Sequence, residues 1–228
     1  MVPRSNKKGK PRGFKSKVKA RRLERRQPVR ISSRTILIVC EDSKSSPDYF
    51  KRLRSKLALT AVTVEVYGKE CGSAPISVVN YAIERKKEVE TSSIRDKYDE
   101  IFCVIDIDEH KTDQAIQKAR DNDLSMIISN PCFEYWYILH FRKTGKSFTR
   151  HKLCSELNKE LKQRGCKAYN KSGCDFFDQI YPLTETAIKN AKDILRSQYY
   201  NESDLRKCDP STHVYKIVEC MELSGGNH

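Results

Sequence analysis

The chain has nine cysteines but no Cys-x-x-Cys pair. They fall singly, at Cys40, Cys71, Cys103, Cys132, Cys154, Cys166, Cys174, Cys208 and Cys220, and their number is odd. That spacing argues against a zinc module and against a disulfide framework. A zinc site built from Cys166, Cys174 and a distant His is the weaker alternative. Cys40 and Cys103 lie inside apolar runs, where a thiol acts as a small hydrophobe, and such usage suits a reducing cytoplasm. No apolar stretch approaches the roughly 20 residues that span a bilayer, so no membrane partner is expected. The basic N-terminus has no hydrophobic segment behind it and does not read as a secretory signal. No internal repeat is visible.

Acids are scarce in one place only. Residues 1–30 hold thirteen Lys/Arg against the single acid Glu24, a surplus of +12. The remaining 198 residues carry 31 Lys/Arg against 29 Asp/Glu, which leaves +2 of the total +14. The basicity therefore belongs to an N-terminal arm with too little apolar mass to fold alone. Such an arm is either a solvated leader or a tether for a polyanion, whose binding would weaken steeply with salt. Over the whole chain, hydrophobic residues make up 38%, enough for a core of one sizeable domain.

The apolar patterning gives an alternating order. Strands are expected at residues 35–40, Val62–Tyr67, Tyr98–Ile105 and Ser125–Ile128. Helices are expected from Pro47 to Leu57, Pro75 to Glu90, Thr112 to Asn122 and Phe133 to Phe141, with Ser129-Asn130-Pro131 as a break. This strand–helix order implies a mostly parallel sheet with right-handed crossovers. Beyond about residue 145 the pattern turns helical, with helices at His151–Arg164, Thr184–Tyr199 and Thr212–Leu223, and residues 165–180 irregular. The division expected is an arm (1–30), an α/β core (31–145) and a helical extension packed on it (146–228).

Two strands end in acids: Ile36-Leu-Ile-Val-Cys-Glu41 and Ile101-Phe-Cys-Val-Ile-Asp106-Ile-Asp108. Parallel strands end at the carboxyl edge of the sheet, where open α/β folds bind ligands. Residues two apart on a strand point the same way, so Asp106 and Asp108 can face one ligand. Glu41, Asp106 and Asp108 together would repel unless a cation sat among them, and oxygen donors suit Mg²⁺ or Mn²⁺. The plainer alternative is that strand ends carry polar residues anyway and cap the next helix.

Lys44, in the turn after Glu41, is either a phosphate contact or a surface lysine. His110 is either a phosphate contact or general acid, or a loop histidine. Asn130 and Glu134, after the fourth strand, share the same sheet edge, although the helix dipole alone explains an acid in a first turn. His140 reads as core or interface. Tyr135, Trp136 and Tyr137 read as packing against the sheet, unless one is exposed and stacks on a base.

At these residues the sequence resembles the RloB family of prokaryotic defence-associated proteins. The resemblance rests on Ile36–Glu41, Pro47-x-Tyr49-Phe50, Tyr98-Asp-Glu-x-x-Cys-Val-Ile-Asp106-x-Asp108-x-His110, Ser129-Asn-Pro-Cys-Phe-Glu134-x-Trp136 with Leu139-His140-Phe141, and Asp209-Pro-Ser-Thr212-x-Val214. It spans about residues 30 to 220. It implies a Toprim-like fold, with Glu41 as metal ligand or general acid/base and Asp106 and Asp108 as metal ligands. It also implies a Mg²⁺- or Mn²⁺-dependent nuclease of an anti-phage, abortive-infection system, acting in the cytoplasm on RNA (tRNA among the targets) or DNA, with a partner defence protein or an oligomer as open alternatives. The family turn usually reads Glu-Gly-x-x-Thr-Glu-Pro. Here Glu41-Asp42-Ser43-Lys44-Ser45-Ser46-Pro47 lacks the glycine and the second acid. Asp42 and Asp48 are the acids that could replace it, and one metal rather than two is expected.

In this reading Glu41, Lys44 and Glu134 are catalytic, Glu41, Asp106 and Asp108 bind metal, and His110 and Asn130 contact substrate. The rivals are a non-catalytic nucleic-acid-binding or sensor subunit with a degenerate site, and an enzyme acting on a small phosphate substrate. Deleting residues 1–30 separates the last case from a polyanion substrate. With a polyanion, filter binding across a salt series should lose about 0.7–0.9 of a log–log slope unit per phosphate contact removed. An unchanged slope would leave the arm a solvated leader.

Overall fold

A computed structural model of the chain describes residues 34–60, 62–66, 74–92, 97–107, 112–170, 174–198 and 207–225. Strands and helices alternate as β1 (Ile36–Cys40), α1 (Ser45–Lys56), β2 (Val62–Val66), α2 (Pro75–Thr91), β3 (Glu100–Asp106), α3 (Asp113–Arg120) and β4 (Ser125–Asn130). There follow α4 (Glu134–Phe141), α5 (Arg150–Gln163), α6 (Phe177–Ile180), α7 (Thr184–Ser197), β5 (Ser211–Thr212) and α8 (Val214–Gly225). The sheet order is β2-β1-β3-β4-β5; the first four strands are parallel and β5 is antiparallel to β4. This is the mixed, mostly parallel α/β architecture with a helical C-terminal part that the patterning implies.

Alternation along each strand divides the core in two. Leu37 and Val39 of β1 join Ile101, Cys103 and Ile105 of β3, and pack with Val78, Val79 and Ala82 of α2 and Ala115 and Ile116 of α3. Ile36, Ile38 and Cys40 join Phe102, Val104 and Ile127 in the other cluster, with side chains of α1, α4, α5, α7 and α8. Both faces of the sheet are covered, which is why β1 and β3 read as unbroken apolar runs rather than alternating ones. Cys40 and Cys103 are buried on opposite faces as small hydrophobes.

Helix α4 sits deepest. Glu134 through His140 are all buried, walled by α5, α6, α7, β4 and β5. Tyr49 of α1 makes edge-on contacts with Phe133, Trp136, Tyr137 and His140, with centroids 5.8, 6.3, 5.9 and 6.3 Å away. Such pairs add about 0.5–1.5 kcal/mol each beyond area burial. Tyr135, Trp136 and Tyr137 are fully buried, so none is exposed to stack on a base.

Three of the differences from expectation have a tertiary cause. β4 runs two residues further, to Asn130, because Ser129 and Asn130 pair with Thr212 and Ser211. Those partners form β5, a strand too short to show any periodicity, and the last helix starts after it at Val214 rather than at Thr212. Within the stretch read as irregular, Phe177–Ile180 closes one helical turn around two buried side chains, Phe177 and Ile180.

His140 generates a pH prediction. Burial pushes its pKa down to about 4, against the hydrogen bond of its Nδ1 with the Trp136 carbonyl at 3.0 Å. Its Nε2 has no partner among the described residues. A depressed histidine pKa means that the unfolded chain takes up a proton that the folded chain refuses. Its contribution is complete above about pH 6.5 and is lost as the pH falls toward about 4. Urea unfolding should therefore show about 2 kcal/mol lost to this residue between roughly pH 7.5 and 5. His140→Gln should remove that part of the slope; an identical slope in the variant would refute the assignment.

Candidate active site

The strand order places β2 on one side of β1 and β3 on the other, with α1 and α2 on opposite faces. Where successive crossovers diverge in this way, the chain leaves a crevice beyond the carboxyl ends of the two central strands. Glu41 is the first residue after β1 and Asp106 the last of β3. The ladder continues past β1: Glu41 N–H donates to the Val104 carbonyl at 2.9 Å. Asp106 N–H in turn donates to Glu41 Oε2 at 3.3 Å. Of the three acids expected to gather, Glu41 and Asp106 meet at this edge.

Both oxygens of Asp106 have partners. Oδ1 accepts the backbone N–H of Phe133, at the start of α4, at 2.9 Å. Oδ2 lies 3.2 Å from Nη2 of Arg150, the first residue of α5. Its side chain is 17% exposed. Burial lifts the Asp106 pKa well above the usual carboxylate range; Arg150 opposes that rise, and the acids Glu134, Asp42 and Glu41 add to it. The edge is thus crowded with negative charge, and Arg150 partly offsets it.

Glu134 is buried next to this pair. Its Oε1 accepts from Tyr169 Oη at 2.6 Å and from Ser45 Oγ at 3.2 Å. Those two hydroxyls lie 2.8 Å apart. Tyr137 Oη donates to the Ser45 carbonyl at 3.0 Å, which fixes the turn after β1 against α4. Burial raises the pKa of the Tyr169 hydroxyl, and the Glu134 charge raises it further. The Cys132 thiol is pushed up by burial, then by Glu134 and Asp106.

The other expected site residues fall as follows. Lys44 is exposed at the rim, and its backbone N–H donates to Asp42 Oδ2 at 3.1 Å. Asn130 donates from Nδ2 to the Cys208 carbonyl at 3.1 Å, tying the end of β4 to the segment that leads into β5. Asp108 and His110 lie outside the described residues. Asp42 accepts from the backbone N–H and the hydroxyl of Ser46 in the first turn of α1. Asp48 pairs with Arg52 at 2.9 Å and accepts the Cys174 N–H at 2.6 Å, so it anchors the segment before α6.

The sequence reading missed Arg150, Tyr169 and Ser45. Tyr169 and Ser45 carry no local signal, since each becomes informative only beside Glu134. Arg150 left a trace: α5 opens on Arg150, His151 and Lys152 with no acid in its first turn, against the helix dipole.

Glu41 and Asp106 offer hard oxygen donors, and the crowding around Asp106 is a demand for positive charge. By donor chemistry they fit Mg²⁺ or Mn²⁺. Among the described residues no group of three or more His, Cys, Asp or Glu side chains is arranged to hold a metal ion. Asp108, the further acid expected, is not among them.

A family model described as RloB-like protein matches residues 36–221. No curated protein and no solved structure matches the chain.

The hydroxyl network makes a stability prediction. Tyr169→Phe removes the hydroxyl that donates to the buried Glu134 and lies 2.8 Å from Ser45 Oγ. It should cost about 1–3 kcal/mol in urea or thermal unfolding. Wild-type stability in that variant would mean that the network does not hold the turn in place.

Proposed function

Because the chain belongs to the RloB-like protein family, we propose that it is a Toprim-like, metal-dependent nuclease of a prokaryotic anti-phage system, cleaving a phosphodiester in RNA, tRNA among the candidates, or in DNA. What supports the reading is the meeting of Glu41 with Asp106 at the switch point of the sheet, in a setting where burial first, and the acids around it after that, raise the Asp106 pKa. Glu41, Asp106 and Asp108 would hold the ion. Bound Mg²⁺ or Mn²⁺ would supply an activated water and offset charge on the scissile phosphate.

The chain's own groups have separate tasks. The Phe133 N–H fixes the orientation of the Asp106 carboxylate, so little reorganisation is left for the reaction itself. Glu134, held by Ser45 and Tyr169, orients water or the neighbouring acids. Lys44 at the rim meets the phosphate. His110 would contact substrate, and Asn130 would do so while steadying the segment into β5. The arm of residues 1–30 tracks the backbone of the nucleic acid.

One observation favours a second reading. Arg150 already pairs with Asp106, and no three-donor group occurs among the described residues. A nucleic-acid-binding subunit of a defence complex, with a degenerate site, would look like this.

The test is incubation of the purified chain with labelled tRNA, single-stranded RNA and plasmid DNA, with Mg²⁺, with Mn²⁺ and with EDTA. Discrete metal-dependent cuts are expected. Asp106→Asn and Glu41→Gln should each lower the cleavage rate by at least about 100-fold while the fold is kept. Retained cleavage in both variants would sink the nuclease reading, and salt-sensitive binding without cleavage in wild type would favour the second one.

A further inference from the structure

The crowded edge holds a cation that the helical C-terminal part supplies. Arg150 comes from α5, reaches Asp106 Oδ2 at 3.2 Å, and is 37% exposed against 17% for its partner. The groups that act on Asp106 from the turn after β1 and from α4 are the acids Glu41, Asp42 and Glu134, and an opposing one is Arg150 of α5. Cys132, on the link from β4 to α4, feels Glu134, Asp106 and Arg150 in turn. A guanidinium at the start of a helix faces the positive end of the dipole, which stability alone disfavours. Its planar fork matches a phosphate as well as it matches a carboxylate.

We propose that Arg150 is the phosphate-contacting residue of this site, and that its pairing with Asp106 is the metal-free resting arrangement. The guanidinium balances the acids until a divalent cation does so, and then engages a non-bridging oxygen of the phosphodiester. The proposal rests on the metal-dependent reading above. It assigns α5 a part in substrate binding that neither the strand-end motifs nor the family match names. It also accounts for an Asp106 whose two oxygens are both engaged: one contact, from Phe133, is backbone and permanent, and the other is a side chain that can turn away.

A competitor and a structural support predict opposite signs. Mn²⁺ binding to the full chain, followed by the electron-spin-resonance signal of free Mn²⁺, should tighten about 3- to 10-fold in Arg150→Gln, the value of a partly exposed ion pair removed. Asp106→Asn should abolish that binding in either background. At saturating Mn²⁺, Arg150→Gln should nonetheless cleave more slowly and raise KM for the nucleic acid. Arg150→Lys, which keeps the charge and loses the fork, should bind Mn²⁺ like wild type and cleave at least about 10-fold more slowly.

Unchanged or weaker Mn²⁺ binding in a folded Arg150→Gln would overturn the proposal while leaving the metal reading standing. Mn²⁺ binding that appears only in Arg150→Gln would support it strongly. Binding in neither protein would overturn the metal reading and this proposal with it. Should Arg150→Gln not fold, wild-type cleavage by Arg150→Lys would overturn the phosphate contact.

Discussion

Asp106 is the point at which the sheet, α4 and α5 are fastened together. Its N–H reaches the Glu41 carboxylate, one of its oxygens takes the Phe133 N–H, and the other takes the Arg150 guanidinium. A carboxylate shut among other acids is costly, and removing a cation that pairs with such a group costs more than the pair itself contributes. The helical C-terminal portion is therefore more than a cover for the apolar face of the sheet. It delivers a positive charge to the carboxyl edge.

The precision of that edge comes from what lies beneath it. α4 is buried from Glu134 to His140, and the Tyr49 ring binds α1 to it through edge-on aromatic contacts. Side chains locked in this way leave the first turn of α4 little freedom. Phe133 N–H and Glu134 are thus presented by a rigid element rather than by a loop, which favours a fixed constellation.

Two motifs far apart in the chain turn out to be one structural unit. Ser129 Oγ and Thr212 Oγ1 lie 2.9 Å apart, and Asn130 reaches the Cys208 carbonyl. His213 N–H donates to the Ile128 carbonyl at 3.0 Å. The Ser129–Glu134 block and the Asp209–Val214 block, both quoted for the family resemblance, close the sheet together. Half of the first block then serves that closure, and its other half, Phe133 and Glu134, serves the site.

Much of this was legible before any coordinates. The runs 36–40 and 101–105 declare buried parallel strands through local composition, and the acids that end them follow from strand direction alone. The order of elements and the helical turn of the second half were readable for the same reason: period and burial are encoded by residues close in the chain. β5, the Glu134–Ser45–Tyr169 network and the Arg150–Asp106 pair were not. Their partners stand 83, 124 and 44 residues apart for Ser129–Thr212, Ser45–Tyr169 and Arg150–Asp106. What the sequence by itself determined is that the acids closing β1 and β3, Glu41 and Asp106, end up at the carboxyl edge. Which side chains balance and orient them was decided only by tertiary packing, because a hydrogen bond or an ion pair depends on distance in space and leaves no period in the chain.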